Sequence, residues 1–93
     1  MPELIMFTGL ECPHCDAMRV LCARLMFSEG LAVTELEVWH DEKNKKLLAE
    51  YRTPDCDGLP FFFNTKTGQC LCGEVSFKEL KTWAIGNSNE IVS

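Results

Sequence analysis

The 93-residue chain has no apolar run approaching the roughly 18 to 20 residues of a membrane-crossing helix. Its first residues, MPELIMFTG, carry no basic segment followed by a cleavable apolar stretch. A secretory leader is therefore not expected, and the chain is read as cytoplasmic. Positive charge is scarce: nine Lys and Arg stand against 14 Asp and Glu, a formal charge of −5, and the nine read as scattered. Nucleic acid and anionic membrane both reward a basic face, so neither is expected as a partner. Internal repeats, low-complexity segments and linkers are also missing. One domain is expected over residues 1–86, followed by a flexible tail over 87–93, the whole acting as a monomer.

What the chain does have is six cysteines: Cys12, Cys15, Cys22, Cys56, Cys70 and Cys72. Their density is below the roughly 8–10% of disulfide scaffolds, and 46% hydrophobic residues suffice for an apolar core. Without a leader, a Cys-x-x-Cys points to redox chemistry or metal binding rather than to architecture.

The elements follow from periodicity. ELIMFT, residues 3 to 8, is a short apolar run that reads as a strand buried on both faces. From Pro13 to about Ser28 apolar residues recur with helical spacing (Met18, Leu21, Cys22, Leu25), and Gly30 stands just past the end. AVTELEVW, residues 32 to 39, alternates as a second strand. Asp41 caps a second helix through EKNKKLLAEYR, with Leu47, Leu48 and Tyr51 inward. TPDCDG is a loop, PFFFN a third strand, NTKTG a hairpin turn and QCLCGEV a fourth strand. Ser76 with Glu79 forms a capping box for a last helix to about Ile85. The order is β-α-β-α-β-β-α, in which the first two strands run parallel and the closing hairpin is antiparallel.

GLECPHCDAM places two cysteines where the first strand gives way to the first helix. Proline is favoured at the first helical position, so Pro13 makes Cys12 the N-cap. The Cys12 sulfur can then accept from the free N–H groups of His14 and Cys15 at the positive end of the helix dipole, which favours a thiolate. Cys15, three positions on, shares that helix face about 5–6 Å away, close enough for a disulfide to form and break without refolding. Cys12, exposed at the helix start, is expected to attack a substrate disulfide, and Cys15 to resolve the mixed disulfide. His14 adds positive charge beside the sulfur, whereas Glu11 and Asp16 oppose it. The competing readings are half a metal site, or two small core residues. Cys22 lies on the apolar stripe and reads as core. His40 reads as a surface histidine.

With its strand-Cys-x-x-Cys-helix start (CPHC), the proline before the third strand (GLPFFF) and a Gly-containing turn into the last helix (CGEVSFKEL), the chain resembles the thioredoxin superfamily, in particular its short glutaredoxin-like branch. The resemblance covers residues 3 to 85. It implies a thioredoxin-like α/β fold, a four-stranded mixed sheet flanked by helices, and a cis Leu59–Pro60 bond beside the dithiol. It further implies that Leu59 and Pro60 dock an extended substrate strand, with Gly73 and Glu74 completing the substrate site. The activity implied is thiol–disulfide exchange through Cys12 and Cys15, with Pro13 and His14 in the motif. The substrate would be a protein or low-molecular-weight disulfide, and the reductant a reductase or glutathione.

The chain departs from that pattern in several places. Glu11 stands where a tryptophan usually precedes the motif, GLE lacks the usual upstream basic residue, and Gly58-Leu59 replaces a Thr-Val pair. No resident cofactor is expected. Glutathione is the small thiol to consider, and an acidic surround argues against tight binding of its two carboxylates. The resemblance also brings Cys72 to the dithiol end of the sheet. Cys12, Cys15, Cys56 and Cys72 could then converge as a zinc or iron–sulfur site, the alternative reading. Cys56 or Cys72 could instead resolve Cys12 as a third redox thiol. Cys70 and Cys72 alternate on one strand and are expected to point to opposite faces, so they do not pair with each other unless it bends. A redox-inert interaction domain is the third reading.

Overall fold

The computed structural model describes residues 3–53, 56 and 58–86. The tail expected over 87–93 lies outside the described residues. Seven elements follow in the expected order: β1 (Leu4–Thr8), α1 (Pro13–Glu29), β2 (Thr34–Glu37), α2 (Glu42–Tyr51), β3 (Phe61–Asn64), β4 (Cys70–Cys72) and α3 (Phe77–Ile85). Among the described residues, no helix is long and apolar enough to cross a membrane.

The sheet order is β2-β1-β3-β4. β1 pairs parallel with β2, with Phe7 opposite Leu36, and antiparallel with β3, with Met6 opposite Phe62. β3 and β4 form the antiparallel hairpin, with Phe61 opposite Cys72 and Phe63 opposite Cys70. All five residues of β1 are buried, as expected of a central strand covered on both faces. Their alternation divides the core in two. Leu4, Met6 and Phe62 pack with Met18 and Leu25 of α1 and with Leu80, Trp83 and Ala84 of α3. Ile5, Phe7 and Phe61 pack on the other face with Leu48 of α2, Val38 and Cys56. The expectation that Cys70 and Cys72 point to opposite faces is corrected: two apart on β4, they share the α2 face, because side chains repeat every second residue along a strand.

The helices start and stop where local chemistry dictates. Asp41 accepts from Asn44 N–H at α2, and Ser76 and Glu79 form the full capping box at α3. Gly30 and Gly86 end α1 and α3 in the left-handed conformation. The strands are shorter than the sequence suggested. β2 spans 34–37 rather than 32–39 and β4 spans 70–72 rather than 69–75. β3 starts at Phe61 because Pro60 has no N–H for the ladder. Cys22 is half-buried at the margin of the α1 core rather than inside it.

Candidate functional site

The C-terminal end of β1 runs through Gly9-Leu10-Glu11 into α1. Cys12 N–H donates to the Gly9 carbonyl at 3.2 Å, closing a tight turn. Cys12 is the N-cap, Pro13 follows at the first helical position, and the Cys12 sulfur accepts from Cys15 N–H at 3.4 Å. Only the Cys15 N–H reaches it, not that of His14. The expected exposure of Cys12 is corrected: the residue is 5% accessible, and Cys15 is fully buried. The cover comes from the loop before β3. The Leu59–Pro60 bond is cis, and the Cys12 thiol lies 3.9 Å from the Leu59 carbonyl oxygen. Among the described residues, Leu59 N–H and C=O make no backbone hydrogen bond.

Burial and the hydrogen bond to Cys12 push the Cys15 thiol up to about 12. At neutral pH it is a proton-bearing group held directly behind the more accessible sulfur. Arg19, one turn further along α1, is the cation that opposes this rise. The Arg19 guanidinium is forked onto Glu35 at 2.6–3.0 Å and also pairs with Asp16. Glu35 in turn accepts the Thr8 hydroxyl at 2.7 Å, and its pairing with Arg19 lowers its carboxyl.

The His14 ring and the Glu74 carboxylate meet across the mouth of the site. Glu74 is therefore engaged by the protein's own His14 ring, which sets a carboxylate beside it. Gly73, with φ +78°, donates its N–H to the Pro60 carbonyl at 2.8 Å, so it anchors the proline loop rather than presenting a free donor. Both residues are bonded within the chain, Gly73 to the Pro60 carbonyl and Glu74 to the His14 ring.

Cys56 and Cys72 are joined as a disulfide with Cα atoms 5.8 Å apart. This takes two of the four sulfurs needed by the tetrathiolate reading, which the structure therefore corrects. Among the described residues, no group of three or more His, Cys, Asp or Glu side chains is placed to hold a metal ion.

Several residues matter that the sequence did not single out for the site. Glu37 accepts from Leu10 N–H at 3.0 Å, Trp39 N–H at 3.1 Å and His40 N–H at 2.8 Å. Dehydration works against its charge, yet the hydrogen bonds from His40 and Leu10 hold the Glu37 carboxyl down at about 2. His40 is exposed, as expected, and its ring lies 2.9 Å from Glu37 and 3.4 Å from Glu11, where the Glu37 bond raises its pKa. The Trp39 ring lies over Gly9 so closely that a Cβ there would fall 2.3 Å from it. Beside Leu59, Trp39 lines a cavity of about 320 Å³ whose wall also carries Lys45 and Arg52. The cations are thus less scattered than they read, since Lys43, Lys45 and Lys46 lie on α2 and Arg52 at its C-cap. One helical signal was available: Arg19 is four residues from Cys15, on the same face. Nothing local marks Trp39, whose partner Gly9 lies in the turn after β1, and the sequence shows the neighbours Trp39 and His40 of Glu37 but not its bond to Leu10.

No family model and no curated protein matches the sequence. Solved structures do match in shape. A thioredoxin-like protein superposes with a TM-score of 0.63 at 19% identity, covering 89% of this chain and 95% of that one. A glutaredoxin from Archaeoglobus fulgidus superposes with a TM-score of 0.66 at 20% identity, covering 89% of this chain and 86% of that one. Likeness at this level of identity is a likeness of fold, and it agrees with the sheet order and the placement of the helices. The chain has the thioredoxin-like fold.

Proposed function

We propose that the protein is a thiol–disulfide oxidoreductase working through Cys12 and Cys15. The observation that carries this reading is the Cys12 sulfur at the N-cap of α1, 3.4 Å from Cys15 N–H and 3.9 Å from the Leu59 carbonyl. The positive end of the helix dipole faces that sulfur. Cys12 attacks one sulfur of a substrate disulfide as the thiolate. The substrate S–S bond breaks, and the departing sulfur leaves as a thiolate that takes up a proton. Cys15 then loses its proton and attacks Cys12. The reduced substrate is released, two electrons have left the protein, and Cys12–Cys15 is a disulfide. A reductase or a small thiol such as glutathione returns the electrons, in a reducing compartment such as the cytoplasm.

Substrate recognition rests on the proline loop. Among the described residues the N–H and C=O of Leu59 make no backbone hydrogen bond, and they suit an extended peptide or a peptide-like disulfide, which would add alongside them as a strand. Because Cys12 is nearly covered, a substrate must enter along this loop to reach it. His14, Pro13, Gly73 and Glu74 shape the entrance, Gly73 by holding Pro60 and Glu74 by holding His14.

The test is dithiol-driven reduction of a generic protein disulfide by the native protein, Cys12→Ser and Cys15→Ser. Cys12→Ser should be inactive, and Cys15→Ser should accumulate a mixed disulfide through Cys12. Equal rates for native protein and Cys12→Ser would refute the reading.

A further inference from the structure

The Cys56–Cys72 bond lies next to the dithiol site but takes no part in the exchange just described. The β3–β4 ladder already sets the position of Cys72 through its pairing with Phe61, so the disulfide adds no register that the sheet lacks. What it does tether is Cys56, two residues ahead of the Gly58–Pro60 loop. The Cys56 sulfur lies 3.9 Å from the Gly58 carbonyl, the residue after Gly58 is Leu59, and the Leu59 carbonyl faces Cys12. On the other side, Cys72 leads into Gly73, which holds the Pro60 carbonyl, and Glu74, which holds His14. Both ends of the bond therefore lead to the walls around Cys12.

The two sulfurs sit in unlike surroundings. Cys56 is 4% accessible and belongs to the apolar cluster against α2, whereas Cys72 is exposed. An incoming thiolate can reach only one of them. We propose that Cys56–Cys72 is a second redox-active disulfide, opened by small dithiols at Cys72, whose opening loosens the Gly58–Pro60 loop over Cys12.

A donor thiolate bonds to the Cys72 sulfur, the Cys56–Cys72 bond breaks, and Cys56 departs as a thiolate and takes up a proton, for which the Gly58 carbonyl is the nearby acceptor. The donor's second thiol, as its thiolate, then displaces Cys72. The donor leaves as a cyclic disulfide, both protein cysteines are thiols, and two electrons have passed from donor to protein. In a reducing compartment a bond open to attack at one end is poised to respond, whereas a bond buried at both ends would not be.

The test does not depend on the Cys12/Cys15 reading. In the full chain carrying Cys12→Ser and Cys15→Ser, the remaining free thiols are blocked, the protein is equilibrated with increasing dithiothreitol, and newly freed cysteines are alkylated and mapped by mass spectrometry. Circular dichroism is followed on the same samples. Cys56 and Cys72 should become alkylated together while the helical signal is still native. Survival of the bond until that signal collapses would make it a structural staple and overturn the proposal. In a second sample, Cys15→Ser alone, alkylation of Cys12 should speed up at least threefold once Cys56–Cys72 is open. An unchanged rate would overturn the link to the loop.

Discussion

Cys15 must shed a proton before it can attack Cys12, and its surroundings resist that loss. Burial and the Cys12 hydrogen bond hold its thiol at about 12. The reactive thiolate fraction therefore grows about tenfold for each pH unit below that value. Stopped-flow release of a preformed Cys12 mixed disulfide should accelerate accordingly between pH 6 and 9. A flat profile over that range would mean that deprotonation of Cys15 does not limit the step. Arg19 opposes the rise, so Arg19→Gln should slow release at a given pH, with Arg19→Lys restoring part of it. At this scale the dithiol was legible in the sequence, because the capping rule for Cys12 and Pro13 is local. The partner of Cys56 was not legible, since a pairing across a 16-residue separation depends on where the hairpin turns back.

The segment Gly9–Cys12 owes its shape to elements other than its own. Trp39 closes over Gly9, and the Glu37 carboxylate at the end of β2 holds Leu10 N–H at 3.0 Å. Gly9→Ala would drive a methyl group into the Trp39 ring, where the added carbon would sit 2.3 Å from ring atoms. We expect a cost of about 1–3 kcal/mol, the usual range for overpacking, seen as a lower urea midpoint. Faster alkylation of Cys12 should accompany it as the turn shifts. Full native stability would show that Trp39 moves aside freely. The hairpin depends on a similar device. Asn64 is buried, accepts N–H bonds from Lys66 and Thr67, and donates to the Trp83 carbonyl at 3.0 Å, tying the β3–β4 turn to α3. Asn64→Ala strands those groups and should cost about 1–3 kcal/mol, measurable in the same denaturation series; a change under about 0.5 kcal/mol, typical of an uninvolved surface site, would show that water replaces it. Element order was legible because apolar periodicity and caps are written locally, as at Asp41 and Ser76. Strand ends were not, because pairing partners decide where a ladder stops.

The molecule as a whole is acidic, with 14 carboxylate side chains against nine cations, yet its field is uneven. Glu11, Glu37 and Glu74 lie on one side of the dithiol mouth or around it, whereas Lys45 and Arg52 line the cavity beside Leu59 and Trp39. A substrate laid along the Leu59 loop would therefore meet apolar wall and positive charge at the α2 end and negative charge near Glu74. This separation is a property of the folded chain: in sequence the cations read as scattered, and only the packing of α2 against β3 through Leu48 and Phe61 brings two of them to the groove. An anionic disulfide, such as glutathione disulfide or an acidic mixed disulfide, should profit from them at low salt. Its kcat/KM should fall severalfold between about 0.01 and 0.15 M ionic strength, as the screening length shortens from about 30 to 8 Å. An uncharged peptide disulfide should change little. Replacing both cations, with Lys45→Gln and Arg52→Gln, should remove the salt dependence and lower kcat/KM for the anionic substrate alone, mainly through KM. Each exposed charge contributes at most about 1 kcal/mol, so the combined loss should stay within about 30-fold. If the double variant loses rate equally on charged and uncharged substrates, the groove acts by shape and the cations take no part in selection.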